Sequence, residues 1–210
     1  MSRTGQRYKD VLLALATVQI YGEKLGRLQM QKLVYLVDSL SLLWGLLSPA
    51  PGFQTYKHGP YDPAIQNAID VLTFRGAINI VSSEVKPDGS LIALYEISDT
   101  GIEIVRRMKN NSHFSERASL YETISNHVSQ RGWGKLRDLV YSEATYIGKK
   151  ADGWGTSLNT NSLLSNDSLR TLLEFNDLVR DRSLKLGREN LTSIFFRVLD
   201  NYLSVAQGQG

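Results

Sequence analysis

The chain of 210 residues contains no cysteine. This absence excludes disulfide bonds, thiolate metal ligands and cysteine nucleophiles, and nothing in the sequence favours an oxidising compartment. We therefore expect a cytoplasmic protein. Hydrophobic residues make up 42% of the chain and charged residues 21%, which is typical of a folded globular protein of one large or two small domains.

The chain also lacks a long uninterrupted apolar run. The longest one, residues 33–47, contains Asp38, Ser39 and Ser41 and is shorter than the ~20 residues that a membrane span requires. The N-terminus has no small-residue cleavage site and does not resemble a signal peptide. We expect residues 33–47 to form a buried helix of a soluble protein that makes no membrane contact.

Positively and negatively charged residues are nearly balanced in number. The 24 Lys and Arg residues and 21 Asp and Glu residues leave a formal net charge of +3. A surplus this small does not by itself indicate a nucleic-acid-binding protein. The overall charge leaves the class of partner open.

The sequence has few residues in patterns typical of catalysis or of metal binding. The three histidines, His58, His113 and His127, form no HExxH motif or paired spacing that would bind a metal. No GxSxG motif occurs, and the segment 132–136 lacks the spacing and the Ser or Thr of a phosphate-binding loop. We therefore predict no metal, no cofactor, no small-molecule substrate and no enzymatic activity.

The first half of the chain alternates helical and extended patterns. Apolar residues recur at helical spacing over 8–20 and from residue 25 to the break at 48–52, and again from Pro63, behind the N-cap residue Asp62, to Gly76. Extended segments are expected at 53–56, 77–81 and 91–97, the last two joined by a hairpin turn at 86–90, with a helix at 102–108. This order is typical of a winged helix-turn-helix domain, which we assign to residues 1–109.

The second half is predicted to be all-helical over residues 110–206. Helical patterns occupy 115–129, 135–147, 168–186 and 189–205, and a Gly- and Ser-rich loop at 148–168 contains Trp154. The tail 207–210 is expected to be disordered. The predicted fold class is thus α+β, mostly α, with a winged helix carrying a two-stranded wing followed by a helical region.

Three short motifs resemble a known group of proteins. They are Leu28–Leu36 (LQMQKLVYL), Tyr56–Asp62 (YKHGPYD) and Leu72–Ile78 (LTFRGAI), and Leu136–Tyr141 (LRDLVY) fits a later helix of the same group. The pattern is similar to the winged-helix Panacea/SocA-like and YwgA-like group over roughly residues 25–147. The layout with an extra helical half is closest to the middle, accessory components of SMC/ABC-ATPase defence systems such as Lamassu.

The resemblance implies two functions. In the first, the chain is a non-catalytic accessory or adaptor subunit of a bacterial anti-phage defence complex, bridging an SMC-like ABC ATPase and an effector nuclease. In the second, it is a DNA-binding transcriptional regulator or a Panacea-like antitoxin. The motifs indicate the fold more specifically than the function, so both remain open at this point.

DNA contact would require cations on the reading helix, on the wing or near the N-terminus. The predicted reading helix, interrupted by Asp70, offers few of them, so base-specific reading is the weaker expectation. The basic N-terminal residues could instead contact double-stranded DNA non-specifically, or simply form a solvated helical face. The candidate DNA-binding residues are Arg3, Arg7, Lys9, Lys24, Arg27, Lys32, Lys57, Gln66, Asn67, Arg75 and Lys86.

Candidate partner-binding residues occur in the turn 56–62, in the loop 148–168 that contains Trp154, and in an apolar seam near the C-terminus. The turn 56–62 is explained by its Gly-Pro corner and the Asp62 cap, although its aromatic residues and Lys57 could also contact a partner or a phosphate. An apolar seam at 191–203 recurs at helical spacing, and such a seam packs internally or docks another protein. The candidate partner-binding residues are Tyr56, His58, Tyr61, Trp154, Leu191, Phe195, Val198 and Tyr202.

Overall fold

The computed structural model describes residues 3–46, 52–87, 89, 91–142, 144–158, 174 and 187–197. The fold is α+β and mostly helical, with two small antiparallel sheets. The expected helix at 168–186, apart from residue 174, and the tail 207–210 lie outside the described residues.

Nine helices and strands make up the first half of the fold. They are α1 (Arg3–Gln19), β1 (Leu25–Gly26), α2 (Arg27–Leu40), β2 (Phe53–Tyr56), β3 (Gly59–Tyr61), α3 (Pro63–Phe74), β4 (Ile78–Val85), β5 (Leu91–Ile97) and α4 (Asp99–Lys109). A 3₁₀ turn at Ser41–Trp44 follows α2. The prediction of helix, helix, strand, helix and hairpin is confirmed in order, with shifted boundaries.

The second half adds helices and one short strand. They are α5 (Ser112–Arg131), α6 (Leu136–Tyr141), α7 (Ala144–Lys150) and β6 (Ser157–Leu158), and residues 188–197 are also helical. The single helix expected over 135–147 is wrong. A 3₁₀ turn at Trp133–Lys135 leads into α6, which ends before α7 begins.

Local capping explains where two of the helices start. The Asp62 carboxylate accepts a hydrogen bond from the Ala64 amide at 2.9 Å, and Pro63 occupies the first turn of α3, as predicted. Ser98 caps α4 in the same way through the Gly101 amide at 3.1 Å. The second cap starts α4 at Asp99, three residues earlier than apolar spacing alone predicted.

The two sheets hold segments that are distant in sequence. One sheet has the antiparallel order β1-β5-β4, with Leu25 opposite Tyr95 and Ile78 opposite Ile97. The other has the order β3-β2-β6, and its tip is the turn 57–58 between β2 and β3. The turn predicted over residues 56–62 is therefore partly wrong, because Gly59 and Pro60 of its corner belong to β3.

One apolar core takes side chains from both halves of the chain. Helices α1 and α2 lie at its centre, where Tyr35 packs edge-on against Phe53 at a ring separation of 5.2 Å. Helix α5 packs against α1 and α2 and contributes buried residues such as Tyr121 and Ile124. Among the described residues, none of the helices has the length and apolar content needed to cross a bilayer.

Candidate functional site

A cluster of buried charges lies between α1, α2, α3 and α5. Arg7 donates to Asp10 at 3.0 Å, to Asp38 at 2.7 Å and to the N-cap residue Asp62 at 2.8 Å. Arg117 donates to Asp10 and to Asp38, each at 2.7 Å. The two guanidinium groups therefore tie four helices together, bonding both carboxylate oxygens of Asp10 and of Asp38 and one oxygen of Asp62.

Contacts within the cluster shift the pKa values of Arg7 and Asp10. Burial alone would lower the pKa of Arg7, but Asp38, Asp10 and Asp62 raise it above its ordinary value. Burial would likewise raise the pKa of Asp10, and the positive charges of Arg117 and Arg7 instead hold it below its usual range. The expectation that Arg7 offers a surface charge to DNA is wrong, because the side chain is buried and engaged by three carboxylates.

The other basic residues near the N-terminus do not form one exposed surface. Arg3 bonds Asp62 and the Gly52 carbonyl at the edge of the buried cluster. Arg27 pairs with Asp70 of α3 at 2.8 Å, and the Lys9 ammonium lies 3.7 Å from the ring centre of Phe114. Lys24 is exposed.

Three of the motifs noted in the sequence meet at Lys32. This residue of α2 is only 6% exposed, and its Nζ donates to the His58 carbonyl at the tip of the β2–β3 hairpin at 2.8 Å. Gly59, at φ +112°, lies so close that an added Cβ would be 3.4 Å from Lys32 Cε and 3.2 Å from the Tyr141 ring of α6. The expectation that Lys32 lies on an exposed helical surface is wrong, because its stem is packed between the hairpin and α6.

The surroundings of Lys32 combine amines and rings. Burial, with a smaller contribution from the positive charge of Arg137, lowers the pKa of Lys32 to about 8. Tyr141 stacks on Tyr146 at 5.3 Å, and the ammonium groups of Lys32 and Lys150 lie 5.9 and 5.7 Å from the Tyr141 ring centre. Burial raises the pKa of Tyr141 and Tyr146, which keeps both phenols protonated at neutral pH.

The turn that carries Trp154 is attached to the same hairpin. The Thr55 amide donates to the Thr156 carbonyl, and the Gly155 amide donates to the Thr55 carbonyl, both at 2.8 Å. These bonds attach the turn that contains Trp154, 60% exposed, to the end of β2, where Tyr56 is 47% exposed. We call the surface formed by Tyr56, Lys57, His58, Lys150 and Trp154 the basic–aromatic patch, with Lys32 and Tyr141 beneath it.

The aromatic candidates in the turn also contact one another. The Tyr56 ring lies 5.3 Å from that of Tyr61 and 6.3 Å from that of His58. Tyr56, Lys57 and His58 are exposed, and Tyr61 is half-buried. The sequence had grouped Tyr56, Lys57, His58 and Tyr61 in one turn, and the structure adds the turn that contains Trp154 to the same hairpin.

The outer side of α3 has little positive charge. Gln66 donates to Asp70 at 3.1 Å, and Asn67 donates to the Tyr8 hydroxyl at 3.2 Å. Arg75 at the end of the helix and Lys86 at the β4–β5 turn are exposed. Asp70, the acidic residue on this side of α3, is paired with Arg27.

An apolar surface lies beside α3, where α1 and α4 meet. Phe74 is 88% exposed and Ile20 is 70% exposed. One open depression of about 580 Å³ is lined by Val71 of α3 and Ile104 of α4, and a second of about 280 Å³ by Ile20 of α1 and Ile102 of α4. We call the surface formed by Ile20, Phe74, Ile102 and Ile104 the apolar face; sequence periodicity had assigned none of these residues to binding.

The C-terminal seam packs inside the chain where it is described. Leu191 and Phe195 are buried, and the Trp44 indole donates to the Thr192 hydroxyl at 2.9 Å. The interpretation of Leu191 and Phe195 as partner contacts is therefore wrong, since the chain itself covers both. Val198 and Tyr202 lie outside the described residues.

Sequence reasoning missed Lys150, which belongs to the patch, and Tyr141, which lies beneath it. Tyr141 belongs to a motif that had been noted, and its repetition five residues later as Tyr146 was the available signal. In the part of the chain that the structure describes, no group of three or more His, Asp or Glu side chains is placed to hold a metal ion. The patch is therefore a surface of cations and rings.

No protein-family model matches the chain, and no curated protein matches it.

Proposed function

We propose that the chain is a non-catalytic adaptor subunit built on a winged-helix domain. The order α1, β1, α2, α3, β4, β5 with a sheet ordered β1-β5-β4 supports the winged-helix interpretation, with the β2–β3 hairpin inserted between α2 and α3. The β4–β5 hairpin is then the wing. Helix α3 occupies the position of the reading helix.

The apolar face is the observation that carries the adaptor function. Phe74 and Ile20 stay mostly exposed, and Ile20, Ile102 and Ile104 line two open depressions beside α4. Contiguous exposed apolar surface marks sites where another protein docks. The two depressions beside α4 provide sockets for apolar side chains of a partner helix.

Its partners follow from the motif resemblance given above. We propose that the chain belongs to a bacterial anti-phage defence complex in which it bridges an SMC-like ABC ATPase and an effector nuclease. The apolar face would serve one of these two contacts. The alternative, a DNA-reading regulator or antitoxin, is less well supported because Asp70 lies at the centre of the outer side of α3 and Arg27 is already paired with it.

The experiment is reconstitution with the products of the genes that flank this one. The chain is mixed with the purified ATPase and effector, and complex formation is followed by light scattering after gel filtration. We expect a stable complex that the double variant Phe74→Ser/Ile104→Ser weakens at least tenfold. The matched control is Val85→Ser/Leu91→Ser, which removes two exposed apolar side chains from the β4–β5 hairpin.

Two results would overturn the proposal. One is the absence of any complex with either protein while the chain is folded. The other is equal weakening by the control pair and by the substitutions on the apolar face.

A further inference from the structure

The basic–aromatic patch carries positive charge that the described residues do not neutralise. Asp138 is occupied by Arg137 at 3.1 Å and Lys135 at 3.9 Å, and Asp152 pairs with Lys149 at 3.1 Å. Among the described residues, no carboxylate lies within ion-pair distance of the remaining lysines of this region, Lys32, Lys57 and Lys150. An anion is the missing counterpart of these amines.

The amine of Lys32 is positioned to bind such an anion. An ammonium group has three N–H donors, and the structure gives one of them to the His58 carbonyl. The packing of its stem against Gly59 and Tyr141 fixes the position of the amine, so little side-chain entropy is lost when it binds. The burial that fixes the amine also lowers the pKa of Lys32. A negative charge bound beside the amine would stabilise its charged form.

The rings of the patch define the kind of anion. Trp154 and Tyr56 are exposed, as are Lys57 and Lys150. Backbone bonds from Thr55 attach the 153–156 turn to the hairpin that carries Tyr56 and Lys57. Exposed rings alternating with amines can stack bases while the amines hold the phosphates. Stacking on a ring requires a base that is not enclosed in a duplex.

We propose that the basic–aromatic patch binds single-stranded nucleic acid, with Lys32, Lys57 and Lys150 contacting phosphates and Tyr56 and Trp154 stacking on bases. This site lies on the β3-β2-β6 sheet and α7. It is independent of the apolar face and does not depend on the adaptor function.

The test measures binding of a fluorescein-labelled oligothymidylate of 15 nucleotides to the full chain by fluorescence anisotropy, from 50 to 300 mM salt. The variant Lys57→Gln/Lys150→Gln is expected to lose at least fivefold in affinity. Its log–log salt slope should be shallower by about 1.4, since each phosphate contact on a single strand contributes about 0.7. Trp154→Ala is expected to lose at least fivefold with an unchanged slope, because it removes a ring and no charge.

The matched control is Lys24→Gln/Lys86→Gln, which removes two exposed lysines outside the patch. This control is expected to bind as the unmodified chain does, and so is the Phe74→Ser/Ile104→Ser variant of the apolar face. The substituted side chains of the patch are exposed, and circular dichroism verifies that each variant is folded.

Several outcomes would overturn the inference. They are no binding at 50 mM salt, an equal loss in the control pair, tighter binding of a duplex of the same length, and displacement of the oligonucleotide by polyglutamate at equal charge concentration. The last outcome would identify an acidic peptide as the partner of the patch. Because none of these measurements involves the ATPase or the effector, their failure is distinguishable from failure of the adaptor proposal.

Discussion

At the scale of single residues, the buried charges do the most to join the helices. Asp10 and Asp38 each accept from both Arg7 and Arg117, and Asp62 accepts from Arg7 and Arg3. Three carboxylates thus meet three guanidinium groups, so the cluster is neutral as a whole. Neutrality, together with hydrogen bonds to both oxygens of every carboxylate, is the condition under which such buried charges are tolerated.

Removing one member of this cluster is predicted to be costly. Arg117→Met retains much of the side-chain volume but leaves Asp10 and Asp38 with one guanidinium between them, and we expect a loss of about 3–5 kcal/mol in the free energy of unfolding. Urea denaturation followed by circular dichroism measures it. The control Arg106→Met removes an exposed partner of Glu103 and should leave the free energy of unfolding almost unchanged. Equal effects of the two substitutions would contradict the prediction.

Lys32 is predicted to make stability depend on pH in the alkaline range. Its pKa is lowered from 10.5 to about 8, so between these values the unfolded chain retains a proton that the folded chain has lost. The free energy of unfolding therefore rises with pH from about 8 upwards. The raised pKa of Tyr141 and Tyr146 acts in the opposite direction only near their ordinary value of 10.

Urea titrations at pH 7.5, 8.5 and 9.5 measure this dependence. The unmodified chain should gain stability over the series relative to Lys32→Met, which keeps the apolar stem and has no titrating group. Parallel curves for the two proteins would show that the amine keeps its ordinary pKa in the folded chain.

The burial of Arg7 and Lys32 could not be predicted from the sequence. Arg7 and Lys32 each stand in a helix among mixed neighbours, and helical periodicity alone places such cations on the surface. Arg7 is buried because its partners Asp38 and Asp62 come from other helices, 31 and 55 residues away along the chain. Contacts at these separations leave no local signal.

At the scale of elements, prediction succeeded where the signals are local. Helix α3 was placed correctly because the Asp62 cap and Pro63 mark its start within two residues. Strands β1 and β6 were missed because each has two residues and exists only by pairing with a distant strand, β5 or β2. The pairing of β6 with β2 also attaches the turn that contains Trp154 to the hairpin that carries Tyr56, so the patch could not be assembled from the sequence.

The approach of the β2–β3 hairpin to α2 and α6 depends on Gly59. At φ +112° any side chain is strained, and a Cβ would lie 3.2 Å from Tyr141 and 3.4 Å from Lys32. We therefore predict that Gly59→Ala costs about 1–3 kcal/mol of stability. Thermal and urea denaturation provide the measurement.

A second glycine offers the matched control for Gly59. Gly148 lies in α7 with nothing within 4 Å of an added Cβ, so Gly148→Ala should be neutral or stabilise by up to about 1 kcal/mol. A Gly59→Ala variant as stable as Gly148→Ala would mean that the hairpin can move away from α6 at no cost.

At the scale of the whole molecule, the two halves share one core. Helix α5 packs against α1, α2 and α4, and Arg117 from this helix completes the charge cluster formed by the first half. A winged-helix domain ending at residue 109 and a helical region beginning at 110 remain a prediction about chain organisation. The contacts across that boundary indicate that the first segment depends on the second.

A fragment of residues 1–109 is accordingly predicted not to fold on its own. Without α5 it would expose the apolar sides of α1 and α2 and leave Asp10 and Asp38 with Arg7 as their only described cation. We expect weak near-ultraviolet circular dichroism, strong binding of a hydrophobic dye and no cooperative thermal transition. The full-length Arg117→Met variant is the control, since it lacks the same ion pairs but keeps the apolar contacts of α5, and should still unfold cooperatively. Cooperative unfolding of the fragment would instead establish residues 1–109 as an autonomous domain, with α5 as an accessory element that packs onto it.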